Sequence, residues 1–318
     1  MKIICFLILI FTHQLVSSKS NDSPNLDFKK VQSQSWNEWK KDLKKTLKKE
    51  NFSDSTLDLL DEINFNPKVI EYDRKQPEFK LTFEKYLQRN INEQKKKDIN
   101  KIYKQNKELL LLLNKKFKVD PRILVSLWGI ETYFGKHIGK MDILRSLLSL
   151  AYDGRRQEFF LKEFKLALKI LEDGHVSQKD FRGSWAGAFG QTQFMPSTFH
   201  KFAIDFDNDN KINLFKKSDA LASGANYLNQ VGWNNNLLWG EEVKITITDK
   251  LSNLSQKKKY KTKKFWERNG ISFKNNYNER VQMRLVIPDL EGKQFFLVTK
   301  NFVPSRSGIT SLISTFSL

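Results

Sequence analysis

Asp120-Pro121-Arg122-Ile123-Leu124-Val125-Ser126-Leu127-Trp128-Gly129-Ile130-Glu131-Thr132-Tyr133-Phe134-Gly135 reads as one helix with a start and a stop written into it. Asp120 offers a capping carboxylate, Pro121 suits the first helical position, and Gly135 suits the residue just past the end. At about 100° per residue, Ile123, Leu127, Ile130 and Phe134 share one arc, widened by Leu124 and Trp128. Glu131 projects into that arc. A carboxylate on an apolar face must be paired, hydrated in a cleft, or protonated. Two readings stand side by side. Desolvation holds Glu131 protonated near neutral pH, as a general acid requires; or Glu131 is a buried partner of Arg145, Arg155 or Arg156.

Outward from this helix the pattern is largely helical. Trp36, Trp39 and Leu43, and then Leu57, Leu60 and Ile63, recur at helical spacing, with lysine runs that read as solvated faces. Tyr72 to Phe79 breaks the periodicity and reads as a connecting loop. Beyond Gly240 the character changes: Val243 to Thr248, Arg284 to Pro288, and Phe295 to Thr299 alternate like strands. The expected class is therefore mainly α (α+β), with a small β element near the C-terminus.

The chain has 318 residues, 39% hydrophobic and 13% aromatic, and a net charge of +19. That is enough apolar material for a substantial core, and the charge favours anionic partners without choosing among them. Met1-Lys2, the apolar run Ile3 to Phe11, and Val16-Ser17-Ser18 have the layout of a secretory signal over residues 1–18. A polar linker follows over 19–31. The only cysteine, Cys5, lies inside the signal, so no disulfide or thiol chemistry is expected of the mature protein. Export, with no aromatic-basic motif of the recognised kinds, argues against a nucleic-acid partner.

Two more segments carry polar chemistry. Gly183-Ser184-Trp185-Ala186-Gly187-Ala188-Phe189-Gly190-Gln191-Thr192-Gln193-Phe194-Met195-Pro196-Ser197 mixes small residues, amides and rings. That mixture suits a saccharide, and equally a tight helix-packing loop. Asp205-Phe206-Asp207-Asn208-Asp209-Asn210-Lys211 places oxygens at the first, third and fifth positions of an EF-hand calcium loop, with the Lys211 carbonyl at the seventh. Asn210 replaces the usual glycine, but asparagine tolerates the left-handed conformation. Lys216 at the twelfth position cannot close the site, so Asp219 would do so through a longer loop. A polar Asx-turn loop without metal is the alternative.

Together these segments resemble the membrane-bound lytic transglycosylase B family. Leu127 to Gly135 looks like its catalytic helix, Gly183 to Ser197 like its substrate-cleft block, and the aspartate loop like its lengthened EF-hand. Ser223 to Leu228, Gly232-Trp233, Trp36 to Phe79, Trp266 to Gly270 and Phe295 to Phe302 continue the resemblance. It implies a lysozyme-like helical core over about 115–240, inside a catalytic domain over 32–302 with an N-terminal helical region. It implies Glu131 as sole acid/base, and Ser184, Gln193, Tyr227, Arg155 and Arg156 as substrate contacts. It also implies a structural Ca2+ on Asp205, Asp207, Asp209, Lys211 and Asp219, with no organic cofactor. The implied function is non-hydrolytic cleavage of the MurNAc-GlcNAc β-1,4 bond of peptidoglycan, leaving 1,6-anhydro ends. The implied setting is an exported, periplasmic monomer on glycan strands, peripheral to the wall or membrane surface. One region departs: over 303–318 the family's Tyr-Asn pair, following Tyr and apolar helix are absent. The competing expectation is a non-catalytic peptidoglycan-binding protein whose altered C-terminus has removed turnover.

Overall fold

The computed structural model describes residues 34–75, 92–288 and 294–302. The expected signal segment, the linker and the divergent tail lie outside them. In chain order, helices α1 (Trp36–Lys49), α2 (Asp54–Glu62) and α3 (Pro67–Lys75) come first, then α4 (Glu93–Gln105), α5 (Lys107–Phe117) and α6 (Pro121–Thr132). Strand β1 (Met141–Asp142), α7 (Ile143–Tyr152), α8 (Gln157–Glu172), β2 (Arg182–Gly183), α9 (Pro196–Phe202) and α10 (Lys217–Gln230) follow. The chain closes with β3 (Gly240–Val243), α11 (Asp249–Gln256), β4 (Lys261–Thr262), α12 (Lys263–Arg268), β5 (Gln282–Val286) and β6 (Phe295–Val298). Helix dominates, as expected. The chain forms two compact units, divided after Pro77, Phe134 and Ser223.

The first unit holds α1–α3, α7–α9, the β1–β2 pair and the start of α10. Its centre is the packing of α7 on α8: Leu144, Leu147, Leu148 and Ala151 are buried, as are Phe160, Phe164, Ala167 and Leu168. In α1, Trp39, Leu43 and Leu47 form the buried stripe, started by a capping box between Ser35 and Glu38. Not every lysine is solvated. Lys40 is only 9% exposed, and its ammonium donates to the carbonyls of Leu60 (2.8 Å) and Ile63 (2.9 Å) at the end of α2. A cation at a helix C-terminus satisfies carbonyls that have no intrahelical donor. The expected loop from Tyr72 is also corrected: α3 runs through to Lys75, with Val69 and Asp73 buried one turn apart. Residues 76–79 lie outside the described chain.

The second unit holds α4–α6 and, after the later part of α10, an antiparallel sheet of order β3-β6-β5-β4. Trp266, Met283, Leu285 and Leu297 are buried in its sheet core, and the Trp266 indole donates to the Met283 carbonyl at 3.0 Å. Two of the three expected strands fall at Gln282–Val286 and Phe295–Val298. The third is displaced: pairing runs over Gly240–Val243 against β6, and the alternating segment after Val243 is unpaired. Ile245 and Ile247 still pack against the same core as Val243. The alternation there reports burial of every second side chain, not a ladder. Asn301 closes the unit, accepting from the Asn234 N–H at 2.8 Å and donating to the Asn234 carbonyl at 2.6 Å.

Lys40→Met should leave the α2 carbonyls buried without a donor and lower the unfolding free energy by about 2 kcal/mol in urea denaturation. The exposed neighbour Lys41→Met is expected to stay within about 0.5 kcal/mol of the parent.

Candidate active site

Helix α6 begins as its sequence dictates. Asp120 caps it by accepting from the Arg122 N–H at 2.8 Å, and Pro121 occupies the first turn. Its end is different from the expectation. The helix stops at Thr132, and Tyr133 (φ 50°), Phe134 (φ 62°) and Gly135 (φ 83°) are all left-handed. Two bulky residues in that region are strained unless their surroundings hold them. The surroundings do. The Tyr133 hydroxyl donates to Asp98 on α4, and the Phe134 ring folds back edge-on to Trp128, centroids 5.6 Å apart. A Cβ on Gly129 would sit 2.9 Å from that ring, so only glycine leaves it room.

Glu131 lies in the last turn before this reversal and is 7% exposed. The helix is shielded nearly all round: Leu124, Val125, Trp128, Gly129 and Thr132 are also buried, while Ile123, Leu127 and Ile130 are half-buried. The expected apolar arc is therefore rotated towards Leu124, Trp128 and Glu131. Burial pushes the Glu131 carboxyl well above the ordinary glutamate range, and the Lys95 ammonium pulls against that rise. The ion-pair reading of Glu131 loses its candidates. Arg145 donates to the carbonyls of Asn64 (2.9 Å) and Phe65 (3.1 Å), and both other arginines bind Asp73.

Asp73 was invisible in the sequence. It is 1% exposed on α3, and one of its oxygens takes Arg156 while the other takes the Arg155 Nε at 2.8 Å. Arg155 also donates to the Asp73 carbonyl at 3.2 Å. One carboxylate facing two guanidiniums leaves a net positive charge, with the Arg155 side chain 44% exposed. Beside Asp73, the half-buried Tyr72 ring stands 6.5 Å from Trp185. An aromatic pair and an arginine pair thus share one neighbourhood of the first unit. The sequence signal for this is the Tyr72-Asp73-Arg74 run, whose polar residues break the apolar periodicity although it is helical.

The small-residue block folds chiefly on itself. Ser184 and Ala188 are doubly linked: the Ser184 N–H donates to the Ala188 carbonyl at 2.8 Å, and the Ser184 hydroxyl accepts from the Ala188 N–H at 3.0 Å. A Cβ on Gly183 would meet the Ala188 carbonyl oxygen at 2.1 Å, and one on Gly190 would meet Leu214 at 2.4 Å. Close backbone packing therefore accounts for the glycines. Gln193 is buried and left-handed (φ 51°), and its amide donates to the carbonyls of Ile138 (3.0 Å) and Gly190 (2.9 Å). Its Oε1 accepts nothing among the described residues. That oxygen and the neighbouring Thr192 hydroxyl are buried acceptors of the block with no partner among the described residues. Tyr227 is half-buried on α10 in the second unit, the unit that carries Glu131.

In the aspartate loop, single carboxylate oxygens of Asp205, Asp207 and Asp209 lie within 4.8 Å of one another. Asp205 also accepts from the backbone N–H groups of Asp209 (3.2 Å) and Asn210 (2.8 Å), which curls the loop around it. Asn208 (φ 58°) and Asn210 (φ 66°) are left-handed, as the sixth position requires. Lys211 donates its N–H to Asp209 at 2.9 Å. The Lys216 ammonium stands against Asp209 and 3.4 Å from Asp207, a positive charge just where the carboxylates converge. The donor set therefore fits a hard divalent cation. Asp219, the expected closing ligand, lies in the first turn of α10. It is fully buried, and its two oxygens accept from the N–H groups of Phe206 (3.0 Å) and Asn213 (2.8 Å). It braces the loop and stands outside the three-carboxylate cluster.

A family model described as the transglycosylase SLT domain matches residues 35–304. Membrane-bound lytic murein transglycosylase B of Escherichia coli (strain K12) is 40% identical over 118 residues, 37% of this chain. That match spans 33%, about a third, of the curated relative's length. Among solved structures, SltB3 from Pseudomonas aeruginosa in complex with NAG-NAM-pentapeptide superposes with a TM-score of 0.80 at 32% identity. That superposition covers 89% of this chain and 80% of SltB3. The Escherichia coli lytic transglycosylase Slt35 in complex with calcium has the same fold, with a TM-score of 0.73 at 22% identity over 92% of this chain and 91% of its own. Because the family model runs from ahead of α1 to beyond β6, and a 32%-identical structure follows most of the same path, the chain belongs to the transglycosylase SLT domain family.

Proposed function

We propose that this chain is a peptidoglycan lytic transglycosylase in which Glu131 acts first as acid and then as base. The observation that carries the reading is the burial of Glu131 at the end of α6, which holds its carboxyl protonated above the ordinary glutamate range. The acid that α4 brings to this end of the helix, Asp98, is committed to the Tyr133 hydroxyl. Among the described residues, a one-carboxylate route therefore suits the site better than the usual acid and nucleophile pair. Glu131 donates its proton to the oxygen linking MurNAc to GlcNAc, and the C1–O bond breaks. The substrate's N-acetyl carbonyl stabilises the electron-poor C1. The C6 hydroxyl of the same sugar then attacks C1 and gives its proton to the Glu131 carboxylate. The product is a 1,6-anhydro end, no water is consumed, and the acid is regenerated. Intramolecular attack gains from effective molarity and needs no protein group to position water.

Substrate contacts fall to Ser184, Gln193, Tyr227, Arg155 and Arg156, with the Asp73-held arginines and the Tyr72–Trp185 rings supporting an anionic sugar polymer. Calcium held by Asp205, Asp207, Asp209 and the Lys211 carbonyl would pin the loop after α9, and Asp219 would add an oxygen only by sharing it with backbone donors. A cation held there would supply structure to the loop. No helix among the described residues is long and apolar enough to cross a membrane. The apolar start of the chain supports an exported protein that works in the periplasm, on glycan strands at the wall or membrane surface.

Purified protein incubated with sacculi should release muropeptides that mass spectrometry identifies as anhydro forms; hydrated reducing ends would replace this reading with a hydrolase. Glu131→Gln should lower turnover by about 1,000-fold or more while leaving sacculus binding intact. The same substitution should change stability with a definite sign. The folded carboxyl lies above its unfolded value of about 4.3, so its favourable protonation is fully present below that pH and lost as pH rises through the folded value. Glu131→Gln should therefore melt higher than the parent at neutral and alkaline pH, with the gap closing below about pH 4.

Calcium should raise the melting temperature of the parent by binding only the folded state, and should leave Asp207→Ala unmoved. Lys216→Ala removes a competing ammonium from the carboxylates. Isothermal titration should show it binding calcium more tightly than the parent.

A further inference from the structure

The Glu131 reaction passes through a carboxylate in a buried place, and something must make that anion tolerable. Helix α4 packs along α6 and bears on its C-terminal end at successive positions of one face. Ile99 lies 3.5 Å from where a Cβ on Gly129 would be, and Asp98 takes the Tyr133 hydroxyl. Lys95 stands three and four residues before them, on the same face. It is half-buried and makes no ion pair among the described residues, whereas its neighbour Lys96 is tied to Glu93 at 2.9 Å. A lysine shielded from water without a bonded anion is unfavourable by itself.

Among the described residues, few charges are placed near Glu131. From α4 come Lys95 and the Asp98 carboxylate; from α6 itself comes Tyr133; and α5, the other helix packed on α6, buries only Leu110, Leu113 and Phe117. We propose that Lys95 is a positioning residue for the reaction, its ammonium fixed by the α4 face so that it stabilises the Glu131 carboxylate left when the proton departs. The inference rests on the transglycosylase reading. It also gives α4 a purpose beyond packing: the helix holds the turn that ends α6 and brings a cation to the acid it carries. The opposed effects on the two residues agree with this: burial lowers the Lys95 ammonium below its ordinary range, and the Glu131 carboxylate works against that fall.

Lys95→Met keeps the length of the side chain and removes its charge. The basic limb of its pH–rate profile should move up by about one pH unit, because Glu131 holds its proton longer. Its kcat should fall several-fold near neutral pH with KM within about two-fold, and Lys95→Arg should restore both. Lys96→Met should match the parent throughout. In parallel, 13C NMR titration of the glutamate carboxyls in the substrate-free full chain, with Glu131→Gln giving the assignment, should show the Glu131 titration displaced upward in Lys95→Met. Lys95→Gln gives a second uncharged variant if the methionine form does not fold. An unchanged profile and an unchanged titration would overturn the role of Lys95 and leave the transglycosylase reading standing. Absence of Glu131-dependent anhydro products in the parent would overturn that reading instead, and the titration, read without substrate, tells the two failures apart.

Discussion

A carboxylic acid kept out of water at the end of a short helix is the constraint to which the rest of this structure answers. Burying Glu131 raises its proton affinity, and that is useful only if the group is also held at a fixed place. The chain achieves this by stopping α6 one residue after the acid and reversing through three left-handed residues. Such a turn is unfavourable for tyrosine and phenylalanine, yet each is locked by a separate contact. Tyr133 is held by Asp98, and Phe134 by the space that Gly129 leaves against Trp128. Strain stored here is offset by aromatic packing and one hydrogen bond to a charged acceptor. The reversal fixes the backbone beside Glu131 more firmly than a frayed helix end would.

The same economy of local partners appears in the first unit. Arg155 and Arg156 are adjacent in sequence, and left alone they would repel. Asp73, almost wholly shielded, gives one oxygen to each and holds both guanidiniums with charge to spare. The aspartate loop uses the opposite arrangement, three carboxylates converging with one ammonium between two of them. In each case charge of one sign is left in excess, which suits the ligand of opposite sign proposed for it. Bidentate guanidinium geometry suits a carboxylate-bearing polymer, while converging carboxylates suit a hard cation.

What could be read from the sequence was local, and what could not was tertiary. Asp120-Pro121 gave the start of α6 because a cap needs only its own neighbours, and Asn208 and Asn210 took the left-handed turns that a loop rich in Asn and Asp allows. The end of α6 falls before Gly135 because Tyr133 and Phe134 are already left-handed, and the partner that holds Tyr133 there, Asp98, lies over thirty residues away. Alternation after Val243 indicated which side chains are buried but not whether the backbone pairs, since both give a period of two. Lys40 looked like any lysine of a solvated face until α2 supplied carbonyls for it. Asp73 looked like part of a loop because its value lies entirely in two arginines more than eighty residues on.

Glu131 itself shows how far local reading goes. Its position on an apolar helix was plain, but an apolar face is compatible with an acid and with an ion pair alike. The distinction depends on where three arginines put their donors, and each puts them on oxygens of Asn64, Phe65 or Asp73. Once those cations are assigned elsewhere, the acid keeps its proton through burial, and the charge that α4 brings near it tempers the effect without cancelling it. An acid too deeply buried would never release its proton, and one too well paired would never hold it. In the proposed reaction, a half-buried lysine acting across a helix packing, unlike a bonded arginine, would leave the group between those limits, as a residue that gives a proton and takes it back within one turnover must be.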